Sequence, residues 1–165
     1  MFELKALHSE AIPRALEKAE RYRLLNDPAQ AESICLDVLR MEPDHQQALV
    51  MLLLALTDQF DHGPSEYGRK AREVLPRLHS EYERAYYEGI ICERQARAMV
   101  NMKALGTRVI ARRWLDEAMS LYEKAEAIRP PGNDDALLRW NACARIIMRD
   151  PQLVPAPEGR YEALE

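Results

Sequence analysis

The stretch AMSLYEKAEAIRP, residues 118–130, combines a helical run of small and large apolar side chains with a closing proline. A second stretch, AESICLDVLRMEP, residues 31–43, has the same spacing. The matched positions are Ala118, Tyr122, Ala125 and Pro130 in the first stretch and Ala31, Cys35, Val38 and Pro43 in the second. Offsets of four and seven lie on one face of a helix, and proline cannot continue a helix. The recurrence predicts an internal repeat built from helices.

Helical periodicity extends over most of the chain, and no segment alternates between apolar and polar residues as a strand would. The composition agrees, since 47% of the 165 residues are hydrophobic and only 7% are aromatic. Helices are expected to begin near Pro13 and after Ser80, a favoured N-cap residue. Gly106 should break a long helical stretch, with Thr107 capping the helix that follows. The length suits one domain.

The most apolar segment is ALVMLLLAL, residues 48–56. It is less than half of the roughly 20 residues that a helix needs to cross a bilayer, so we interpret it as a helix buried on all sides. Residues 1–23 carry charges every few positions without a long apolar core, so no signal peptide is expected. The three cysteines are an odd number without a CxxC pair, which favours buried, reduced thiols and a cytoplasmic protein.

Further residues fit the same unit, because Ala15, Ala19 and Tyr22 precede the stretch at 31–43 with first-helix spacing. Together these features resemble the tetratricopeptide repeat (TPR), a helix–turn–helix unit of about 34 residues with a closing proline. The resemblance implies an all-α, right-handed α-solenoid of antiparallel helix pairs. The implied divisions are one domain over 1–150, with repeats at about 12–45, 46–79 and 80–130 and a C-terminal cap helix at 134–149, then a Pro-rich extended tail at 151–165.

TPR proteins bind peptides or protein segments in a concave groove lined by the first helices of their repeats, and the resemblance implies the same here. Carried over by spacing, the partner-binding residues are Arg23, Leu54, Asp58, Tyr86, Ile90, Arg94 and Arg97. An alternative for two of them is that Leu54 and Ile90 only pack against each other. The TPR adaptors of chaperones hold two carboxylates with basic and amide residues that are missing from the matching places here, which are Leu16, Glu20, Met51, Glu83 and Tyr87.

Repeat three contains about 17 more residues than the unit requires, which predicts an extended helical arm near residues 95–112. Residues 94–113 include six basic residues and no acidic one, although the whole chain has a net charge of −4. The apolar side of the arm either packs on the cap helix or tail, or docks an acidic protein segment or a second copy. Nucleic-acid binding is disfavoured, because no aromatic residues interleave for stacking. The acidic tail residues are a further candidate to lie against the arm or in the groove: Glu158, Glu162 and Glu165.

Sequence patterns for catalysis or metal binding are not found. The four histidines are scattered over predicted loops, and no phosphate-binding glycine loop or HExxH occurs. Asp58, Asp61 and His62 are too few for a metal site and are interpreted as a polar turn. We therefore expect a protein–protein interaction module, not an enzyme, without cofactor, small-molecule substrate or membrane association. The alternative is a scaffold that forms a homodimer through the arm, and nucleic-acid binding is ranked last.

Overall fold

The computed structural model describes residues 1–102 and 104–155, and it contains seven α-helices and no strand within those residues. The prediction of an all-α fold is confirmed. The helices are α1 Ile12–Leu24, α2 Pro28–Met41, α3 Gln46–Thr57, α4 Pro64–Val74, α5 Glu81–Asn101, α6 Thr107–Ala127 and α7 Asp135–Arg149. Three short 3-10 helices occur at Ser9–Ala11, Phe60–His62 and Leu75–Arg77.

The helix boundaries follow local chemistry. Pro13 lies in the first turn of α1, where the missing N–H has no helical partner to lose. Ser80 accepts a hydrogen bond from the Glu83 backbone N–H at 3.2 Å, so the predicted N-cap of α5 is confirmed. Gly106 has a φ of 80° and separates α5 from α6. The predicted capping by Thr107 is wrong, because its hydroxyl donates backwards to the carbonyl oxygens of Met102 and Ala104, at 3.0 and 2.9 Å.

Helix α3 is the interior element that its apolar sequence predicts. It contacts α1, α2, α4 and α5. Its buried residues include Leu49, Leu53 and Ala55, each with no exposed surface. Because neighbours lie on every side, α3 needs no polar face. Within the described residues no helix combines the length and hydropathy that crossing a bilayer requires.

Two hydrophobic cores fill the molecule, and α5 contributes to both. The first core joins α1 to α4 with Ile91 and Ala98 of α5. The second joins α5, α6 and α7 around Ile90, Tyr122 and Cys143. All three cysteines are free and buried. Since consecutive α5 residues face different cores, this helix fixes the position of one half of the molecule against the other.

Helices α5 and α6, whose adjoining ends contain residues 95–112, are longer than the others, with 21 residues each against 11 to 14 in α1 to α4. Part of their apolar side is covered, since Val100 packs on the second core. Leu153, beyond α7, is 2% exposed, and its carbonyl oxygen accepts a hydrogen bond from Arg112 at 2.9 Å. The start of the tail thus lies against the arm. Lys103 and residues 156–165, with the three acidic tail residues, lie outside the described residues.

Candidate functional site

Asp58 is the centre of a charged cluster that joins three helices. It directly follows Thr57, the last residue of α3. Its Oδ2 accepts a hydrogen bond from Arg23 Nε of α1 at 2.6 Å, and its Oδ1 accepts one from Arg94 Nη1 of α5. The same Arg94 nitrogen lies 2.9 Å from the Thr57 hydroxyl oxygen. Arg23, Asp58 and Arg94, which we name the Asp58 cluster, are three of the predicted partner-binding residues, and the fold brings them together.

Glu93 is the centre of a second charged cluster on the next residue of α5. Its Oε2 accepts a hydrogen bond from the Tyr122 hydroxyl at 2.7 Å. Its Oε1 accepts one from Arg97 at 2.7 Å and a longer one from Arg139 of α7 at 3.4 Å. The Glu93 side chain is only 1% exposed. These residues, Glu93, Arg97, Tyr122 and Arg139, form the Glu93 cluster, and it ties α5 to α6 and α7.

The close approach of α5 and α6 depends on Gly89. A Cβ atom at this position would lie 2.6 Å from Tyr122 Cε1, too close for two carbon atoms. The missing side chain lets the Tyr122 ring lie on the α5 backbone, with its hydroxyl beside Glu93. Burial raises the pKa of Tyr122, and the negative charge of Glu93 raises it further. The phenol therefore stays protonated as the donor to this carboxylate.

Arg139 experiences opposing effects in the same cluster. Burial acts to lower its pKa, but the Glu93 carboxylate and the Tyr86 hydroxyl outweigh this effect and the pKa is raised. The guanidinium keeps its charge beside the buried carboxylate. A carboxylate in so closed an environment needs cationic or hydrogen-bonding partners.

Members of both clusters, but not Arg23 or Tyr122, line one open cavity of about 270 Å³ between the end of α3, the 3-10 helix at Phe60–His62, α5 and α7. Its charged lining consists of Arg94, Arg97 and Arg139 with Asp58, Asp61 and Glu93. Phe60 contributes an apolar part of the wall and is 3% exposed. Asn101, at the end of α5, lines the cavity and is exposed. The cavity therefore presents fixed charges on a partly apolar wall.

The other predicted residues lie elsewhere in the structure. Leu54 is partly buried and packs against both cores. Ile90 is 1% exposed and belongs to the second core, so its side chain is not on the surface. Tyr86 is partly buried, and its ring centroid lies 5.7 Å from that of Tyr82 and 5.9 Å from that of Tyr122. None of these three residues is among those that line the cavity.

Comparison of the chain with protein-family models, curated proteins and solved structures finds no match.

Sequence reasoning did not identify Arg139 as part of the site. Its spacing within α7 carries no distinguishing signal, and only the packing of α7 on α5 places it beside Glu93. The residue in the sequence that could have indicated this site is Glu93. It lies one turn after Gly89 on a helix face of small residues, where an acidic side chain becomes buried and needs cationic partners.

The cavity is suited to binding charged groups. The carboxylates of Asp58 and Glu93 are each paired with two guanidinium groups, which hold these side chains in place. Within residues 1–102 and 104–155, no group of three or more His, Cys, Asp or Glu side chains is arranged to hold a metal ion. The side chains of Arg97 and Arg139 are partly exposed, so a ligand in the cavity can reach their guanidinium groups.

Proposed function

We propose that the protein is a protein–protein interaction module, an adaptor or assembly scaffold, that binds a segment of another protein in the cavity between α3, α5 and α7. It acts by binding and not by catalysis. Three free, buried thiols are in keeping with a cytoplasmic protein.

The helix pairing that we propose is that of a TPR-like right-handed solenoid, with α1, α3 and α5 as first helices and α7 as the cap. Two contacts support this pairing. Helix α3 contacts both α1 and α5, as first helices of successive repeats would. Gly89 of α5 and Tyr122 of α6 pack together, which joins the small-residue position of a first helix to the aromatic position of its second helix.

The observation that carries the proposed function is a charged cavity whose side chains are already fixed by ion pairs. A site held in place before binding loses little conformational entropy when a partner arrives. The volume of about 270 Å³ lies just below the roughly 300–1,000 Å³ typical of small-molecule pockets. A cavity of this size accommodates a few side chains of a larger partner better than it encloses a whole metabolite.

The proposal is tested by selecting a random-sequence dodecapeptide library on the intact protein and measuring the enriched peptides by fluorescence anisotropy. Asn101→Trp places a bulky side chain on the exposed rim of the cavity. Ser120→Trp is the matched control, because Ser120 is an exposed α6 residue and is not among the residues that line this cavity. We expect enriched peptides whose affinity falls about tenfold or more with Asn101→Trp and stays unchanged with Ser120→Trp. No enrichment, or equal effects of the two substitutions, would contradict the proposal.

Self-association through the arm is the second candidate function, and one observation favours it. Three large apolar side chains near the α5–α6 connection are exposed: Met102 at 44%, Leu105 at 105% and Ile110 at 46%. Sedimentation equilibrium distinguishes the candidates. A species of twice the 19.0 kDa chain mass that disappears with Leu105→Gln and Ile110→Gln would favour the homodimer. A monomer at all concentrations leaves the cavity as the functional surface.

A further inference from the structure

A second open groove, of about 460 Å³, lies between α5, α6 and α7, and we name it the α7 groove. Its lining combines apolar side chains with two arginines, and within residues 1–102 and 104–155 it includes no carboxylate. Arg97 and Asn101 line both this groove and the cavity described above, so the two are neighbours. The remaining lining residues are Ala96, Val100, Leu115, Ile146 and Arg149.

The chain itself reaches the edge of the α7 groove where the described residues end. Leu153 belongs to the hydrophobic core that also contains Ala96 and Leu115 of the groove wall. Its carbonyl oxygen accepts a hydrogen bond from Arg112, which lies one turn from Leu115 on α6. The next residue, Val154, is 51% exposed. The segment that follows therefore starts beside the groove.

Charge is unbalanced around the α7 groove, also when ion-paired neighbours are counted. Two carboxylates lie among the groove arginines and their partners, those of Glu93 and Asp150. Four guanidinium groups accompany them, so two positive charges remain among the described residues. These guanidinium groups belong to Arg97, Arg108, Arg139 and Arg149. The neighbouring Asp58 cluster adds no excess once Asp61 is included.

Residues 156–165 carry the opposite excess. They contain three glutamates and one arginine, which leaves two negative charges, and their large apolar side chains are Tyr161 and Leu164. A segment of this length can extend about 33 Å, roughly three helix diameters, so it can follow a groove between three helices. Because it is tethered beside the groove, its effective concentration there is in the millimolar range.

We propose that residues 156–165 occupy the α7 groove of the same molecule. Tail carboxylates lie beside Arg97 and Arg149, and the Tyr161 side chain lies on the apolar wall. The charges match in sign and size, and the wall continues the surface on which the start of the tail already packs. Since Arg97 and Asn101 also line the cavity, the docked segment competes with a partner that enters the cavity. This competition rests on the proposed function, whereas the docking does not.

The test of docking places benzoylphenylalanine at Tyr161 of the full chain, which is irradiated at low protein concentration. Mass spectrometry of the digested monomer then locates the adducts. Glu158→Gln/Glu162→Gln/Glu165→Gln removes the negative charges of the segment. Arg149→Gln removes one positive charge of the groove and leaves the partners of Glu93 in place.

Each charge substitution has a matched control. Arg145→Gln is the control for the groove, because Arg145 is exposed on the same helix and is not among the lining residues. Glu17→Gln/Glu20→Gln/Glu42→Gln is the control for the segment, because it removes three exposed carboxylates from α1 and the end of α2.

We expect adducts within one chain, concentrated on the groove residues of α5 and α7. Their yield should fall about threefold with either charge substitution and fall further as salt increases, and both controls should leave it unchanged. Adducts spread over the surface, or a yield that neither charge substitution lowers, would overturn the docking. Adducts at twice the 19.0 kDa chain mass would assign the segment to a second copy and would overturn it as well.

Competition is measured with the peptides enriched from the random-sequence library. In fluorescence anisotropy they should bind Glu158→Gln/Glu162→Gln/Glu165→Gln about threefold more tightly than the intact chain, because more of the cavity is free. Equal affinities would overturn the competition and leave the docked segment standing. The cross-link requires no peptide, so its result does not depend on whether the proposed function holds.

Discussion

The Asp58 cluster and the Glu93 cluster use the same chemistry, one carboxylate with two guanidinium groups, in different surroundings. Asp58 is 21% exposed, and its partners Arg23 and Arg94 are 18% and 23% exposed. Glu93 is 1% exposed and has the Tyr122 hydroxyl as an additional partner. Water can solvate the first carboxylate if its partners leave, whereas the second is almost closed to water. Each carboxylate has two guanidinium partners, so we expect burial, and not the number of ion pairs, to decide how much each cluster contributes to the free energy of unfolding.

Helix α5 connects these two regions. Arg94 and Glu93 are neighbours in sequence, and consecutive residues point in different directions around a helix. Arg94 therefore reaches back to α3, while Glu93 faces α6 and α7. The cavity lies where these two sets of contacts meet. Its charged walls are positioned by one helix that both hydrophobic cores hold in place.

The largest expected difference appears when both guanidinium groups are removed from each carboxylate. Arg97→Met/Arg139→Met leaves the buried Glu93 with only Tyr122 as a partner, and should lower the free energy of unfolding by about 3–5 kcal/mol. Arg23→Met/Arg94→Met leaves Asp58 partly exposed to water, and should cost about 1 kcal/mol. Methionine retains apolar side-chain packing in both variants. Urea unfolding measures both values. Equal losses would contradict the role assigned to the burial of Glu93.

The next largest difference is expected in the dependence of stability on alkaline pH, because only the Glu93 cluster contains a phenol. The pKa of Tyr122 is raised by burial and then by Glu93, so above its ordinary value of about 10 the unfolded chain loses the proton first. Stability should therefore fall as pH rises above 10, with Tyr122 contributing about 1.4 kcal/mol per pH unit. Tyr122→Phe should make the fall shallower by that amount, and Asp58→Asn should not change it.

The buried thiols also contribute to the fall in stability at alkaline pH. Burial raises the pKa of Cys35 and Cys143 to about 12 and that of Cys92 to about 11. Their contribution to stability is complete below pH 9 and is lost as pH rises through 11 to 12, equally in both variants. Chemical denaturation at pH 8, 10 and 11 measures the slopes. Identical slopes for the intact chain and Tyr122→Phe would contradict the role assigned to this phenol.

A smaller effect is expected at Gly89, on which the Glu93 cluster depends for its geometry. Gly89→Ala puts a Cβ 2.6 Å from a Tyr122 ring that is held by its hydrogen bond to Glu93. The overlap should cost about 2 kcal/mol, and the better helix propensity of alanine returns about 1, leaving a net loss of about 1 kcal/mol. Gly63→Ala is the control, since its Cβ would lie 3.6 Å from the nearest Tyr67 atom. A stabilised Gly89→Ala variant would show that α5 and α6 can separate without cost.

The smallest effect is expected for Arg23→Gln alone. Asp58 keeps Arg94 as its partner and remains partly exposed, so the free energy of unfolding should fall by no more than about 0.5 kcal/mol. Arg139→Gln is the comparison in the Glu93 cluster, where Arg97 and Tyr122 remain and the loss should be about 1 kcal/mol. A larger loss for Arg23→Gln than for Arg139→Gln would reverse the proposed order.

Features that depend on local chemistry could be predicted from the sequence. The all-α fold, the N-cap at Ser80 and the interior position of α3 follow from periodicity, capping preference and the absence of a polar face. The prediction that Thr107 caps α6 was wrong, because a threonine hydroxyl has several backbone partners within reach and the sequence alone does not show which one it binds.

The candidate site could be predicted only in part. Spacing along first helices selected Arg23, Asp58 and Arg94, which do meet in the Asp58 cluster. The same spacing selected Ile90, whose burial depends on how α6 and α7 close over α5. Arg139 was missed for a related reason, since its role exists only once α7 packs beside Glu93. Contacts between residues far apart in sequence are fixed by tertiary packing and produce no periodic pattern in the sequence.

The most direct test of the proposed binding cavity is photo-cross-linking from its wall. Benzoylphenylalanine is placed at Asn101, which lines the cavity, or at Ser120, which is exposed on α6 and absent from its lining. Each protein is irradiated with the peptides enriched from the random-sequence dodecapeptide library. We predict peptide adducts of the 19.0 kDa chain from position 101, few from position 120, and a reduced yield from position 101 in the Arg94→Gln/Arg97→Gln background. Equal yields from the two positions, unaffected by loss of the two arginines, would contradict binding in this cavity.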